Sequence, residues 1–351
     1  MSDVFDHPWL GGLFGDDEVG QTLSTDVQLQ HILAVEAAYT VALGAVGRID
    51  PQTAQNAASA IRDVAIDVDE LREGVAIDGV VVPALVRSIK AALPDNYRSA
   101  VHSGLTSQDI IDTALILSLK TFCCLFSERL SDLKERLSAH RDALGENELM
   151  GRTRMQAALP MKVADRMNSW ILPIDDHLVR LDQIKPRLLN LQLGGAVGNG
   201  AALGKDAGQI GAEMAKTLGL NVAPRSWHNR RDSITEFAGW LSLVSGSLGK
   251  VGQDVALMAQ QGIDEIGLSG GGGSSAMPHK QNPVKAELLI TLARYNATLL
   301  SAMNHALVHE QERSGSAWSL EWMVLPQMIQ TTGRALGVAL ELADQIERLG
   351  K

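Results

Sequence analysis

Three observations on this sequence predict an all-α fold. Aromatic residues make up only 4% of 351 positions, while Ala, Leu, Val and Gly are abundant. That mix suits closely packed helices better than sheets, whose strands favour aromatic and β-branched residues. Apolar residues recur at spacings of three and four over very long stretches, the period of a helix with one buried stripe. No segment shows an alternation of apolar and polar residues that would argue for a strand.

Residues 1–108 read as a small N-terminal domain of short helices. Leu29, Ile32, Leu33, Glu36, Ala37 and the run Tyr39 to Leu43 keep helical spacing, and Gly47 with Asp50-Pro51 ends it. Two further helices are expected over Thr53 to Ala65 and Val80 to Ala92, before a break at Leu93-Pro94-Asp95-Asn96.

Residues 109–351 read as a central bundle of five long helices. Leu115, Leu119, Phe122, Phe126, Leu130, Leu133 and Leu137 mark the first. The second runs from about Lys162 to Leu191, with kinks expected at Pro173 and Pro186. A glycine-rich turn, Gly194 to Gly200, and a short helix from Gln209 to Leu218 follow. Phe237, Trp240, Leu241, Val244, Leu248, Val251, Val255 and Met258 mark the third long helix, and Leu288, Leu292, Tyr295 and Leu299 the fourth. The fifth is expected from Trp318 to Leu349. Helices this long pack with small crossing angles. Five of them leave apolar faces uncovered, so self-association is expected.

Composition narrows the function. A net charge of −10 implies no basic surface for nucleic acid, and an anionic ligand must be caught by local cations. Cys123 and Cys124 are adjacent, a spacing that rarely bridges, and read as buried free thiols of a reducing compartment. No apolar stretch reads as a membrane span and the first residues do not resemble a signal segment, so a cytoplasmic location is expected. His305 and His309 sit four apart without an evident third ligand. No metal and no cofactor are expected.

The most informative stretch is Gly273-Ser274-Ser275-Ala276-Met277-Pro278-His279-Lys280-Gln281-Asn282-Pro283, after glycines from Gly270. Glycines permit the backbone to fold over a ligand, and the prolines disfavour helix within the loop. Asn282 and Pro283 are expected as N-cap and first residue of the helix that follows. Upstream, His102-Ser103-Gly104-Leu105-Thr106-Ser107-Gln108-Asp109 puts hydroxyls where a helix begins. Read alone, that is an ordinary helix cap; with a ligand, it is a carboxylate cradle.

The loop resembles the signature Gly-Ser-Ser-x-Met-Pro-x-Lys-x-Asn-Pro of the fumarase/aspartase superfamily, and every defined position matches. His102 to Asp109 is similar to that superfamily's His-x-Gly-x-Thr-Ser-x-Asp segment. Gly151-Arg152-Thr153-Arg154-Met155-Gln156-Ala157-Ala158-Leu159-Pro160 resembles a third, in which Thr153 and Gln156 match. The resemblance implies a homotetramer around a twenty-helix bundle, with each active site shared between three subunits. Against the usual member the chain is short, and the small C-terminal helical domain common in the superfamily is expected to be missing from it. Ser274 is implied as the acid–base residue, with Lys280 and His102 at the catalytic centre. Thr106, Ser107, Thr153, Gln156, Met277 and Asn282 are implied as substrate-binding positions.

One departure is informative. Arg154 stands where lyases of the superfamily often carry a histidine that assists the leaving group, and Val80-Val81-Val82-Pro83 replaces the His-Asp pair of adenylosuccinate lyases. An addition whose nucleophile is an already ionised carboxylate has less need of that histidine, whereas an arginine aligns carboxylates through two parallel hydrogen bonds. Ser226-Trp227-His228-Asn229-Arg230-Arg231-Asp232 and Glu312-Arg313-Ser314-Gly315-Ser316-Ala317-Trp318-Ser319-Leu320-Glu321-Trp322 resemble segments of the branch that closes lactones on cis,cis-muconates, with Ser316 where a glycine is usual. Together these imply a small polycarboxylate substrate. His228 is open between a substrate contact and a capping or interface residue. Arg231 and Arg313 are open between anion ligands and partners of Asp232 and Glu310. The alternatives are a fumarate-releasing lyase, a sulfomuconate specialist and a catalytically silent structural homologue.

Overall fold

The computed structural model describes residues 3–273, 276–277 and 280–350. Two short helices, α1 (Gly11–Phe14) and α2 (Asp17–Thr22), open the chain, followed by α3 (Thr25–Ala45), α4 (Pro51–Arg62), α5 (Val68–Asp78), α6 (Val82–Ala92) and α7 (Asp95–Arg98). The long helix α8 (Ser107–Leu144) leads into a hairpin of β1 (Glu148–Thr153) and β2 (Gln156–Lys162), then α9 (Val163–Leu188). After β3 (Asn190–Leu191), a 3-10 turn (Ala201–Asp206) precedes α10 (Ala207–Leu218) and β4 (Asn221–Val222). The chain continues through α11 (Asp232–Met258), β5 (Ile266–Leu268), α12 (Val284–Ala306), α13 (Gly315–Asp344) and β6 (Ile346–Leu349).

Helices α8, α9, α11, α12 and α13 share one core. Phe122, Phe126, Trp240 and Phe237 form a chain of stacked rings, with centroids 5.8, 6.4 and 5.7 Å apart. Polar edges of the large rings find partners: Trp170 Nε1 donates to Asp254 Oδ2 at 2.7 Å and Trp240 Nε1 to the carbonyl of His177 at 2.9 Å. Trp318 packs in the bundle, with Trp322 tilted against it at 4.5 Å. Close approach of α11 and α12 depends on small residues. A Cβ at Gly249 or Gly252 would lie 2.5 Å from Ala293 Cβ or the Ala286 carbonyl, so any larger residue would push the helices apart.

The N-terminal helices carry two smaller cores. Leu33, Ile61, Leu85 and Ile89 form one. In the other, Tyr39 and Leu43 of α3 meet Ile210 and Met214 of α10.

Several expectations need correction. Short strands are present, in three two-stranded sheets. The largest is the β1–β2 hairpin, whose two-residue turn places Arg154 (φ 49°) and Met155 (φ 65°) in the left-handed region. The last helix stops at Asp344, because Ile346–Leu349 pairs antiparallel with Ile266–Leu268. Helix α5 is an element the sequence reading lacks, whereas α9 is one helix with Pro173 and Pro186 inside it, as expected. Asn282 does not cap α12: it exchanges backbone hydrogen bonds with Gly272, both 2.9 Å, and Pro283 takes the capping position. Cys123 is buried but Cys124 is exposed. A window of α8 is long and apolar enough to cross a membrane by length and composition; more than half of it is buried among its neighbours here.

Candidate active site

The N-terminal end of α8 is organised by one carboxylate. Thr106 occupies the N-cap, and Asp109, three residues on, accepts its N–H at 3.0 Å, half of a capping box. The same carboxylate accepts from Gly194 N–H (2.8 Å), Gly195 N–H (2.9 Å) and His228 Nε2 (3.0 Å). It thereby ties the glycine-rich turn and the start of α11 to the start of α8. Gln192 completes the knot, donating to Ser226 Oγ at 2.7 Å and accepting from Trp227 N–H at 2.7 Å. Asp109 is 1% exposed, so these donors supply the solvation that burial removes.

His102 stands beside this knot with a left-handed backbone (φ 58°). Its Nδ1 lies 2.6 Å from Glu36 Oε1, a fully buried carboxylate on α3. One turn further along α3, the Tyr39 hydroxyl donates to the Ser103 carbonyl. Burial pushes that phenol up to about 12, with Arg48 opposing, so it stays protonated and remains a donor. Ser107 opens the helix, half-buried.

Three further candidates, open in the sequence, have the following surroundings. His228 is 2% exposed: its Nε2 meets Asp109, its carbonyl accepts from Gln108 Nε2 at 2.9 Å, and its Nδ1 is buried without a partner among the described residues. Arg231 pairs not with Asp232 but with Asp112 (2.7 Å) and Glu321, fully buried, with Trp227 under its guanidinium at 4.9 Å. Burial works against its charge, but the two carboxylates hold its pKa above the ordinary value. Arg313 donates through Nη2 to the Ala196 carbonyl at 3.0 Å and keeps Nε buried without a partner among the described residues.

The other candidates lie at the opposite end. Thr153 and Gln156 close the β1–β2 hairpin as its last pair, with Arg154 at the turn, and all three are exposed. Arg152 anchors the hairpin through Glu265 at 2.6 Å, whereas Arg154 forms no ion pair among the described residues. A cavity of about 670 Å³ beside the hairpin is lined by Arg152, Arg154, Arg166 and Lys250 opposite Asp165, Asp254 and Glu265. Glu265 precedes β5, from which the signature loop leaves. Within the loop Met277, Lys280 and Asn282 are described, Met277 and Lys280 exposed and Asn282 half-buried. Ser274 lies outside the described residues, as do Ser275, Pro278 and His279.

Helix length decides how the two groups relate. Helix α8 has 38 residues, so its ends stand about 55 Å apart at 1.5 Å per residue. Thr106 sits at one end and the hairpin starts just beyond the other. One chain therefore cannot bring His102, Thr106 and Ser107 to the same small molecule as Thr153, Arg154, Gln156, Lys280 and Asn282.

The described residues hold no group of three or more His, Cys, Asp or Glu positioned for an ion. His305 and His309 do not share a helix face, since α12 ends at Ala306. Burial, and then Arg231, hold the His309 imidazole below its ordinary pKa.

Sequence reading did not identify Glu36, Gln192 and Glu265 as site-forming residues. Glu36 carried a signal, as a carboxylate on an otherwise apolar helical stripe.

Comparison with known proteins places these features. A family model described as "Lyase" matches residues 17–295. A 3-carboxy-cis,cis-muconate cycloisomerase of Pseudomonas aeruginosa is 36% identical over 99% of this chain and 77% of its own length. An N-acetyl-S-(2-succino)cysteine lyase of Enterococcus italicus is 29% identical over 99% of this chain and 76% of its own. The solved 3-carboxy-cis,cis-muconate lactonizing enzyme of Pseudomonas putida superposes with a TM-score of 0.90 at 33% identity, covering 97% of this chain and 77% of that one.

Proposed function

We propose that this chain, which belongs to the lyase family, is a cycloisomerase that closes a lactone on 3-carboxy-cis,cis-muconate. One substrate carboxylate adds to a conjugated double bond, and the C–O bond formed completes a five-membered ring. The electron pair of that double bond moves onto the carbon α to another carboxylate, which becomes an aci-carboxylate, and the carbon then takes a proton. Donors aimed at that developing charge supply most of the rate. Thr106, Ser107, Thr153, Gln156, Lys280 and Asn282 are assigned that task. His102 and Arg154 hold the other carboxylates, and Ser274 delivers the proton. His228 positions the segment that carries His102 and Thr106.

The observation that carries this reading is Arg154, an exposed cation with no ion-pair partner among the described residues, at the hairpin turn. A guanidinium there orients an anionic nucleophile and is not a leaving-group acid at neutral pH.

The 55 Å between the two groups supports a shared site. We assign it to a cytoplasmic homotetramer in which three copies contribute to each centre. The decisive assay follows ultraviolet absorbance of 3-carboxymuconate, which falls as lactonisation shortens the conjugation. Unchanged absorbance, with fumarate released from an S-succinyl thiol, would replace this reading by the lyase reaction in the name of the Enterococcus relative.

A further inference from the structure

We propose that Glu36 is the positioning residue of His102, fixing Nδ1 as the inward donor so that Nε2 alone meets a substrate carboxylate. This rests on the reading that the N-terminal end of α8 holds part of a polyanion.

Three observations converge on the pair. First, Glu36 is fully buried, yet among the described residues its only side-chain partner is His102 Nδ1 at 2.6 Å, and its Oε2 is buried without one. Its neighbours on α3, Leu33, Val35, Ala37 and Ala38, are buried apolar residues. A carboxylate so poorly paired weakens the fold relative to an apolar side chain, so stability does not explain it. Second, His102 is held at φ 58°, a region that a side chain bearing a Cβ enters at a cost and that clusters at functional sites. Third, Tyr39, on the same face of α3 as Glu36, donates to the Ser103 carbonyl, so one helix face fixes both the ring and the backbone that carries it.

The chemistry then follows from the donor inventory. An ionised carboxylate only accepts, so the nitrogen facing it must carry hydrogen. Nε2 has no partner among the described residues, and the ring is 17% exposed against 0% for Glu36. The ring is thus tied along its inner edge and open along its outer one. A substrate carboxylate that binds at Nε2 brings one proton with it from solvent, so that this nitrogen meets it as a second N–H, and Glu36 balances the charge so gained.

The test has one arm that needs no turnover. Enzyme labelled with ¹⁵N-histidine, with His102 assigned by its loss in His102→Gln, should show Nδ1 as the protonated nitrogen at neutral pH. Glu36→Gln should lose that preference, and Glu36→Asp, which keeps the charge, should retain it in part. A wild-type ring protonated only at Nε2, or a Glu36→Gln spectrum unchanged at His102, overturns the proposal. The second arm is a double-mutant cycle on turnover of 3-carboxymuconate. Glu36→Gln should lower kcat/KM by roughly 10- to 100-fold in the wild-type background, and by less than about twofold where His102 is already Gln. Equal losses in both backgrounds mean a merely structural role. If wild-type enzyme does not turn over this substrate, the cycloisomerase reading fails by itself, and the nitrogen spectrum still decides the role of Glu36.

Discussion

The two ends of the long bundle are built on opposite principles. At the N-terminal end of α8, three charged or titratable groups are held inside the fold: Asp109 by four donors within 3.0 Å, His102 by Glu36, Arg231 by two carboxylates. At the hairpin end, Thr153, Arg154, Gln156 and Lys280 are exposed, and the hairpin is fastened through the Arg152–Glu265 pair. Preorganised polar groups are worth most where water is excluded. The first end already meets that condition in a single chain. The second meets it only when another surface covers it. The contrast explains why a protein of this family would assemble, beyond the burial of apolar faces.

Substitutions should therefore split by end. Ser274→Ala should have the largest effect on turnover, lowering kcat by about 10³-fold as expected for loss of a proton donor, with the melting temperature unchanged. Steady-state kinetics beside calorimetry would check it, and near-normal turnover would remove Ser274 from the mechanism. Asp109→Ala should chiefly damage the fold. It leaves backbone and imidazole donors buried and unpaired, at about 3–5 kcal/mol, read as a lowered urea midpoint. Arg154→Ala should do the reverse, raising KM by roughly 10- to 100-fold through a lost charge-assisted pair while the urea midpoint stays within error. Equal losses of stability in both variants would erase the distinction between the ends.

A smaller effect tests the shared middle of the bundle. Burial, and then Arg180, push His177 down to about 4, and its Nε2 lies 2.8 Å from Ser247 Oγ. The unfolded chain binds this proton more readily than the folded one. The contribution is therefore fully present above about 6.5, the ordinary histidine value, and is lost as pH falls toward about 4. His177→Gln should flatten that part of the stability curve, measured as urea midpoint against pH.

How much of this was legible in the sequence follows from where each signal comes from. Periodicity located the long helices because their buried stripes run for many turns. It failed at the hairpin, since β2 is exposed along nearly its whole length and offers no alternation. Its turn is Arg154-Met155, without the Asn or Gly that marks such turns. It failed again at the C-terminal end of α13, where Ile346 and Leu349 continue an apolar spacing but pair as a strand. The loop and His102 were legible as motifs. Glu36 was counted as one more position of a helical stripe, because a sequence does not say which polar residue a distant imidazole will find. Separation of the site into two ends was implicit in the length of α8, and became explicit only when both ends had been located.

On the proposed shared site, a working centre combines the tightly bonded end of one copy with the exposed end of another. Two inactive variants test it directly: His102→Ala, damaged at one end, and Ser274→Ala, damaged in the loop. Mixed in equal amounts and allowed to exchange subunits, they should recover about one quarter of wild-type activity, the fraction of centres that draw both intact ends from different copies. A mixture that stays as inactive as its components, although mixed oligomers have formed, would contradict the account.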